Sequence, residues 1–208
     1  GGLMALKQPD LKQILAQTTI ASLGLLVLLL GIGGETAALA VAAYFVAHAL
    51  YKATLFLVTG IIDKSTGTRD ITALGGLRDH LTISFIASGL AALSMFGVPP
   101  FLGYIAKEEI NASLGVADPW AILLLAVVVV GNALIGAAAL ALVLRPFMGG
   151  LKPLPETPKE GGFALWVGPV LFGLLGLAVV FGVGAYGEQI VAPMASAIGD
   201  HPIASHLT

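Results

Sequence analysis

The sequence predicts an all-α fold: a polytopic bundle of about five membrane-spanning helices, one of them broken by proline. Three observations carry this. Of the 208 residues 57% are hydrophobic, only 11% are charged, and the apolar residues fall in long runs. Soluble domains average about 45–50% apolar and about 25% charged residues. This chain therefore lacks the polar surface that a water-soluble globule of its size needs. The same apolar content excludes a disordered chain. A net charge of −2 offers no basic field for nucleic acid, and with no cysteine there are neither disulfides nor cysteine-held metals.

The first expected span covers residues 13–31 and is the most polar, with Gln13, Gln17, Thr18, Thr19 and Ser22 in its first half. The second, 36–62, is interrupted by one charge, Lys52. The third, 81–110, is interrupted by Pro99 and Pro100. The fourth, 119–144, includes 25 consecutive uncharged residues from 120 onward. A helix of that length covers roughly 37 Å, enough for a hydrocarbon core about 30 Å thick. The fifth, 163–187, is a similar run. Helices are the expected form because backbone groups in lipid must bond internally. This divides the chain into residues 1–114, three spans that hold the ionisable residues and the break, and residues 115–208, two packing spans and a polar tail. The opening Gly1-Gly2-Leu3-Met4 lacks an initiator Met and any signal-peptide pattern. It reads as the start of an internal fragment of a longer protein, or as a few added residues.

The loops give an independent check. Lys7, Lys12, Lys64, Arg69, Arg78, Arg145, Lys152 and Lys159 all fall on one side of a five-span arrangement, and no Lys or Arg falls on the other. By the positive-inside rule the N-terminus of the chain is expected in the cytoplasm and the C-terminus outside.

Two basic residues remain, Lys52 and Lys107, both inside hydrophobic segments. A lysine at mid-bilayer costs roughly 2.5–3.5 kcal/mol and usually faces a cavity or partner. His48 lies one turn before Lys52 and Tyr44 one turn before that, on one helix face. A desolvated lysine beside a histidine is suited to pass protons. The alternative is a snorkelling lysine and a histidine at a helix contact, but Lys52 is far from either end of its span. In the third span Gly97, Pro99, Pro100 and Gly103 mark a discontinuous helix, tolerated in membranes where it lines a site. Its second half opens with Lys107, Glu108 and Glu109, which read either as pathway groups or as an ordinary wet cap. Lys12, near the start of the first span, reads equally as a pathway residue or as part of a polar entry turn. Asn132 is expected to join helices by hydrogen bonding, and His201 and His206 to be solvated in the tail. No nucleophile elbow, zinc-type histidine pair or carboxylate cluster is evident, so no enzyme, metal site or cofactor is expected.

Four ordered motifs across residues 10–110 carry a family resemblance. They are Asp10-Leu11-Lys12-Gln13-Ile14-Leu15-Ala16-Gln17-Thr18-Thr19-Ile20-Ala21-Ser22-Leu23-Gly24, His48-Ala49-Leu50-Tyr51-Lys52-Ala53-Thr54-Leu55-Phe56, Gly75-Gly76-Leu77-Arg78, and Pro99-Pro100-Phe101-Leu102-Gly103-Tyr104-Ile105-Ala106-Lys107-Glu108-Glu109-Ile110. Together they resemble the A subunit of Mrp-type multisubunit Na+/H+ antiporters and the homologous proton-pumping subunits of respiratory complex I. Gly67-Thr68-Arg69-Asp70 and Ala106-Lys107-Glu108-Glu109 look more like the Mrp side. The resemblance implies the second half of an inverted-repeat pair in a cell (inner) membrane, with other antiporter subunits, H+ and a monovalent cation as partners. It implies that His48 and Lys52 are the intramembrane His and relay Lys, that Lys107 is the Lys of the broken helix with Glu108 beside it, and that Lys12 is the Lys of the first motif. The family's other broken helix and its paired Glu–Lys site belong to the first half.

Overall fold

In a computed structural model the chain is a bundle of helices, and residues 1–114, 119–154 and 157–207 are described. A short helix α1 (Gly2–Lys7) precedes α2 (Leu11–Ile32) and α3 (Glu35–Thr66). The Asp10 carboxylate starts α2 by accepting the amides of Lys12 (2.8 Å) and Gln13 (3.2 Å), which would otherwise be orphaned in the first turn. The 32 residues of α3 give it a length of roughly 48 Å. It is the central post, and α2, α4 (Thr82–Phe96), α5 (Leu102–Leu114), α7 (Phe163–Ala178) and α9 (Ala192–Gly199) all pack on it. The long helix α6 (Pro119–Phe147) lies instead against α4, α1 and α2.

Among the described residues three helices are long and apolar enough to cross a membrane: α2, α3 and α6. A fourth crossing follows if α7 and the Val183–Gly199 segment, bent by 104° from it, count as one. The 81–110 segment is two helices, each too short to count, so length and composition support three or four crossings where the sequence suggested about five. The break in 81–110 falls where expected, between Phe96 and Leu102.

The 163–187 run departs from expectation. It stops being an α-helix at Ala178, passes through a 3-10 turn (Val179–Gly182), the short α8 (Val183–Tyr186) and a π turn (Gly187–Val191), and only then enters α9. Glycines at 176, 182, 184 and 187 explain the difference, since each weakens a helix by roughly 1 kcal/mol relative to alanine. The expected division between residues 114 and 115 borders a segment outside the described residues.

The buried core runs along α3 and the helices around it, from Leu11, Leu15 and Leu29 through Tyr44 and Ile62 to Leu102 and Ile110. The outside is apolar too. Trp120, Val27, Val127 and Val130 are among many large hydrophobic side chains left exposed. Soluble monomers rarely expose such a surface, whereas a bilayer demands it.

At one end the basic loops gather. Leu11 N–H donates to the Arg69 carbonyl (3.0 Å) and Ile71 N–H to that of Pro9 (2.8 Å), which ties the 67–76 loop to the start of α2. Glu160, just before α7, accepts the Ile83 amide (2.9 Å) and the Ser84 hydroxyl (2.5 Å). This supplies the negative charge that the first turn of α4 favours.

Candidate proton path

Lys52 sits on α3 facing α2 and is 5% exposed. Its ammonium donates to the Leu15 carbonyl (2.8 Å) and to the Thr18 hydroxyl oxygen. Among the described residues no carboxylate pairs with it. The Thr18 hydroxyl spends its own proton on the carbonyls of Leu15 (2.9 Å) and Ile14 (3.1 Å), which leaves its lone pairs for Lys52. Thr18 is fully buried, so a polar face of α2 is turned inward at this level.

One step along α3 a hydrogen-bonded chain begins. His48 Nδ1 lies 3.2 Å from the Tyr51 hydroxyl, Tyr51 donates to the Tyr44 hydroxyl (3.4 Å), and Tyr44 donates to Ser22 Oγ (3.0 Å). Tyr51 gives its only proton to Tyr44, so His48 must present an N–H at Nδ1 for its own contact to be a hydrogen bond. The donors then run one way, from α3 toward α2. Ser22 follows Thr18 by one helical turn, so the tyrosine chain and the Lys52 contact land on the same stripe of α2.

Lys12 is placed differently. Its side chain is 40% exposed at the basic end and pairs with Asp63 at 3.0 Å. Arg69 bridges Asp10 (3.2 Å) and Asp63 (4.0 Å) beside it. Lys52 and Asp63 are eleven residues apart on α3, or roughly 16 Å along its axis, so Lys12 does not touch the Lys52 site. In the same loop Asp70 accepts the Thr72 hydroxyl (2.6 Å) and amide (2.8 Å), which together hold its carboxyl below the usual carboxylate range.

Lys107 spans the helix break. From α5 its ammonium donates to the carbonyls of Met95 (3.1 Å) and Phe96 (2.8 Å), the unsatisfied C-terminal end of α4. Glycine is required at both edges of the break. Gly97 has φ 88°, and a Cβ there would lie 2.7 Å from Lys107 Cδ. A Cβ on Gly103 would lie 1.8 Å from the Ser94 carbonyl oxygen, and the Gly103 amide donates to Ser94 Oγ (3.2 Å). Pro99 and Pro100 occupy the connecting turn.

The structure thus brings Lys52 together with Thr18, and His48 with Tyr51, Tyr44 and Ser22. Lys12 and Lys107 stand apart from that cluster. Glu108 is exposed, whereas its neighbour Glu109 is buried. Neither histidine of the tail is simply solvated: His201 Nε2 lies 3.3 Å from Glu35 and His206 Nε2 lies 3.1 Å from Glu109. The Asn132 side-chain oxygen is buried without a hydrogen bond, so it does not join helices through that atom. Sequence reasoning overlooked Ser22, Thr18 and Tyr51 as partners. The i, i+4 spacing of two hydroxyls in an apolar helix was the available signal.

Residues 1–135 match the family described as "NADH:quinone oxidoreductase/Mrp antiporter, TM". The chain is 35% identical to Na(+)/H(+) antiporter subunit A1 of Staphylococcus epidermidis and of Staphylococcus aureus, in each case over 94% of its own length and 27% of theirs. It therefore spans about a quarter of those relatives. Among solved structures it superposes on a chain of the Mrp complex from Dietzia sp. DQ12-45-1b with a TM-score of 0.82 at 31% identity, covering 99% of this chain and 22% of that one. It also superposes on a chain of the membrane-bound sulfane sulfur reductase, an archaeal respiratory membrane complex, with a TM-score of 0.81 at 26% identity, covering 97% and 32%. A family match over more than half the chain, on a multi-pass helical bundle with a lysine buried between two spans, makes this chain a member of the NADH:quinone oxidoreductase/Mrp antiporter transmembrane family.

Proposed function

We propose that the chain is part of the A-type subunit of a multisubunit Na+/H+ antiporter and carries one stretch of its transmembrane proton path. The observation that carries this reading is the Lys52 ammonium, buried between α2 and α3 on two neutral acceptors. An ammonium held by a carbonyl and a hydroxyl, with no carboxylate to fix its charge, can give up its proton far more readily than an ion-paired one. His48, Tyr51, Tyr44 and Ser22 supply a row of exchangeable protons next to it. Lys12, with Asp63 and Arg69, serves as the cytoplasmic collecting point. Lys107, with Glu108 beside it, serves the far side of the break, where it can move only by releasing two helix-end carbonyls. Residues 1–114 hold all of these groups, and α6 and α7 act as packing elements. The chain lies in the cell membrane with its basic end in the cytoplasm and works beside other subunits of the complex.

The test is made in the full-length subunit within its assembled complex. Lys52→Ala is expected to slow Na+-dependent dissipation of a pH gradient in everted vesicles by roughly 100-fold, the contribution of one positioned proton-transfer group. Wild-type rates at wild-type abundance would refute the reading. The likeness to the archaeal respiratory complex favours a second possibility, that the same stretch works in a redox-driven pump. Co-purification with quinone-reducing or other redox subunits would distinguish the two.

A further inference from the structure

The end of the bundle opposite the basic loops holds a cavity of about 680 Å³ where both helix interruptions meet. Pro99 and Pro100 of the α4/α5 break form part of its wall, and Gly182 of the α7/α8 break forms another. Tyr104, Glu109 and His206 line it as well. The Glu109 side chain is 9% exposed, and its Oε2 makes no hydrogen bond. The one ionisable group within 4 Å of that oxygen among the described residues is His206, with Nε2 at 3.1 Å and a side chain 57% exposed. A buried carboxylate oxygen with no hydrogen bond calls for a cation or a proton, and His206 is the one neighbour placed to compete for it. Interrupted helix ends can offer backbone carbonyls as further ligands, although those of Met95 and Phe96 are already taken by Lys107.

We propose that this cavity is a monovalent-cation site, with the Glu109 carboxylate as its charged ligand and His206 as an internal competitor for that carboxylate. The proposal rests on the transport reading above and adds to it a place on this chain where the cation is held. A single carboxylate suits a monovalent ion, because divalent ions gather several charged oxygens. His206 Nε2 lies against the same Glu109 oxygen that a bound cation needs, so the imidazole and the cation compete for it. Tyr104 is the other ionisable side chain on the described wall. The ionisable groups of neighbouring elements are engaged elsewhere: Lys107 on the α4 carbonyls, Glu35 of α3 with His201, and Lys52 on α2. Glu108 and Glu188 are exposed off this wall.

The experiment titrates NaCl against dissipation of a pH gradient in everted vesicles holding the complete complex, at about pH 6 and about pH 8. Glu109→Gln is expected to raise the half-saturating Na+ concentration roughly tenfold at the higher pH. His206→Ala is expected to lower the half-saturating concentration, because it removes the group that competes for Glu109. Wild-type half-saturation at both pH values in both variants overturns the proposal. So does a shift in proton dependence alone, which would make Glu109 a proton relay only. Should Glu109→Gln fail to assemble, Glu109→Asp and His206→Ala carry the same comparison. Lys52→Ala, measured alongside, judges the proton-path reading separately, because its expected defect is in rate at saturating Na+.

Discussion

Lys52 could be singled out from the sequence because a charge in an apolar run is costly, and cost is visible in a string of residues. Its partners were harder to see. A threonine or serine in a helix can always satisfy itself on the preceding turn, as Thr18 and Thr19 both do on the Leu15 carbonyl. The hydroxyl alone therefore says nothing about a second use. That second use gives a prediction at this scale. Thr18→Val keeps the shape of the side chain and removes the acceptor, leaving Lys52 with the Leu15 carbonyl. A hydrogen bond to a charged group contributes about 1.5–3 kcal/mol. The variant is expected to assemble normally and to lose roughly tenfold or more in Na+-dependent proton turnover in vesicles, with Thr18→Ser close to wild type. Glu109 was named only beside Lys107 and Glu108, as a pathway group or a wet cap, and its burial was not told apart from the exposure of Glu108. The buried positions of α5 are Leu102, Gly103, Ala106, Glu109, Ile110 and Leu114, a stripe of helical period that includes Glu109 and passes over Glu108.

Among the elements, the break between α4 and α5 was foreseen in place because proline and glycine act on the backbone locally and need no knowledge of neighbours. Its internal geometry was not foreseen. Lys107 turns back onto the end of α4, and the start of α5 rests against Ser94. Those contacts are long-range, and only the fold brings them together. The bend after Ala178 was missed for the opposite reason: hydropathy stays high across 163–187 while four glycines remove the helix's intrinsic support, and apolarity was weighed above propensity. The crossing of α4 and α5 depends on the bare Gly103 backbone, since a methyl there would meet the Ser94 carbonyl at 1.8 Å. Gly103→Ala is expected to destabilise the subunit by about 1–3 kcal/mol, the usual cost of overpacking. A lowered melting temperature of the purified full-length subunit would show it. Gly89→Ala, which meets nothing within 4 Å, is the matched control and should leave the melting temperature within a degree or two.

Taken as a whole, the molecule is a charge-sorted body. Lys12, Asp63, Arg69 and the Glu160 cap sit at one end, and Glu35, Glu109, His201 and His206 meet at the other. The sequence suggested eight basic loop residues on one side and none on the other, and the folded chain gathers Lys12, Arg69 and Lys152 at one end, with the tail histidines at the acidic one. Translocation energetics favour retaining clustered Lys and Arg in the cytoplasm, so the basic end should face inward. The absence of cysteine makes this testable without background from the chain itself. In the full-length subunit, with any cysteines elsewhere removed, a cysteine at Asp200 should react with a membrane-impermeant maleimide added to intact cells. A cysteine at Lys64, at the end of α3, should react only after the cells are opened. The two positions are 136 residues apart in sequence, yet each lies just beyond an apolar segment, so their exposure to reagent differs chiefly by the side of the bilayer on which they emerge. The reverse pattern would invert the assigned direction of the path. Lys12 would then collect protons from outside, and the Glu109–His206 cavity would open to the cytoplasm.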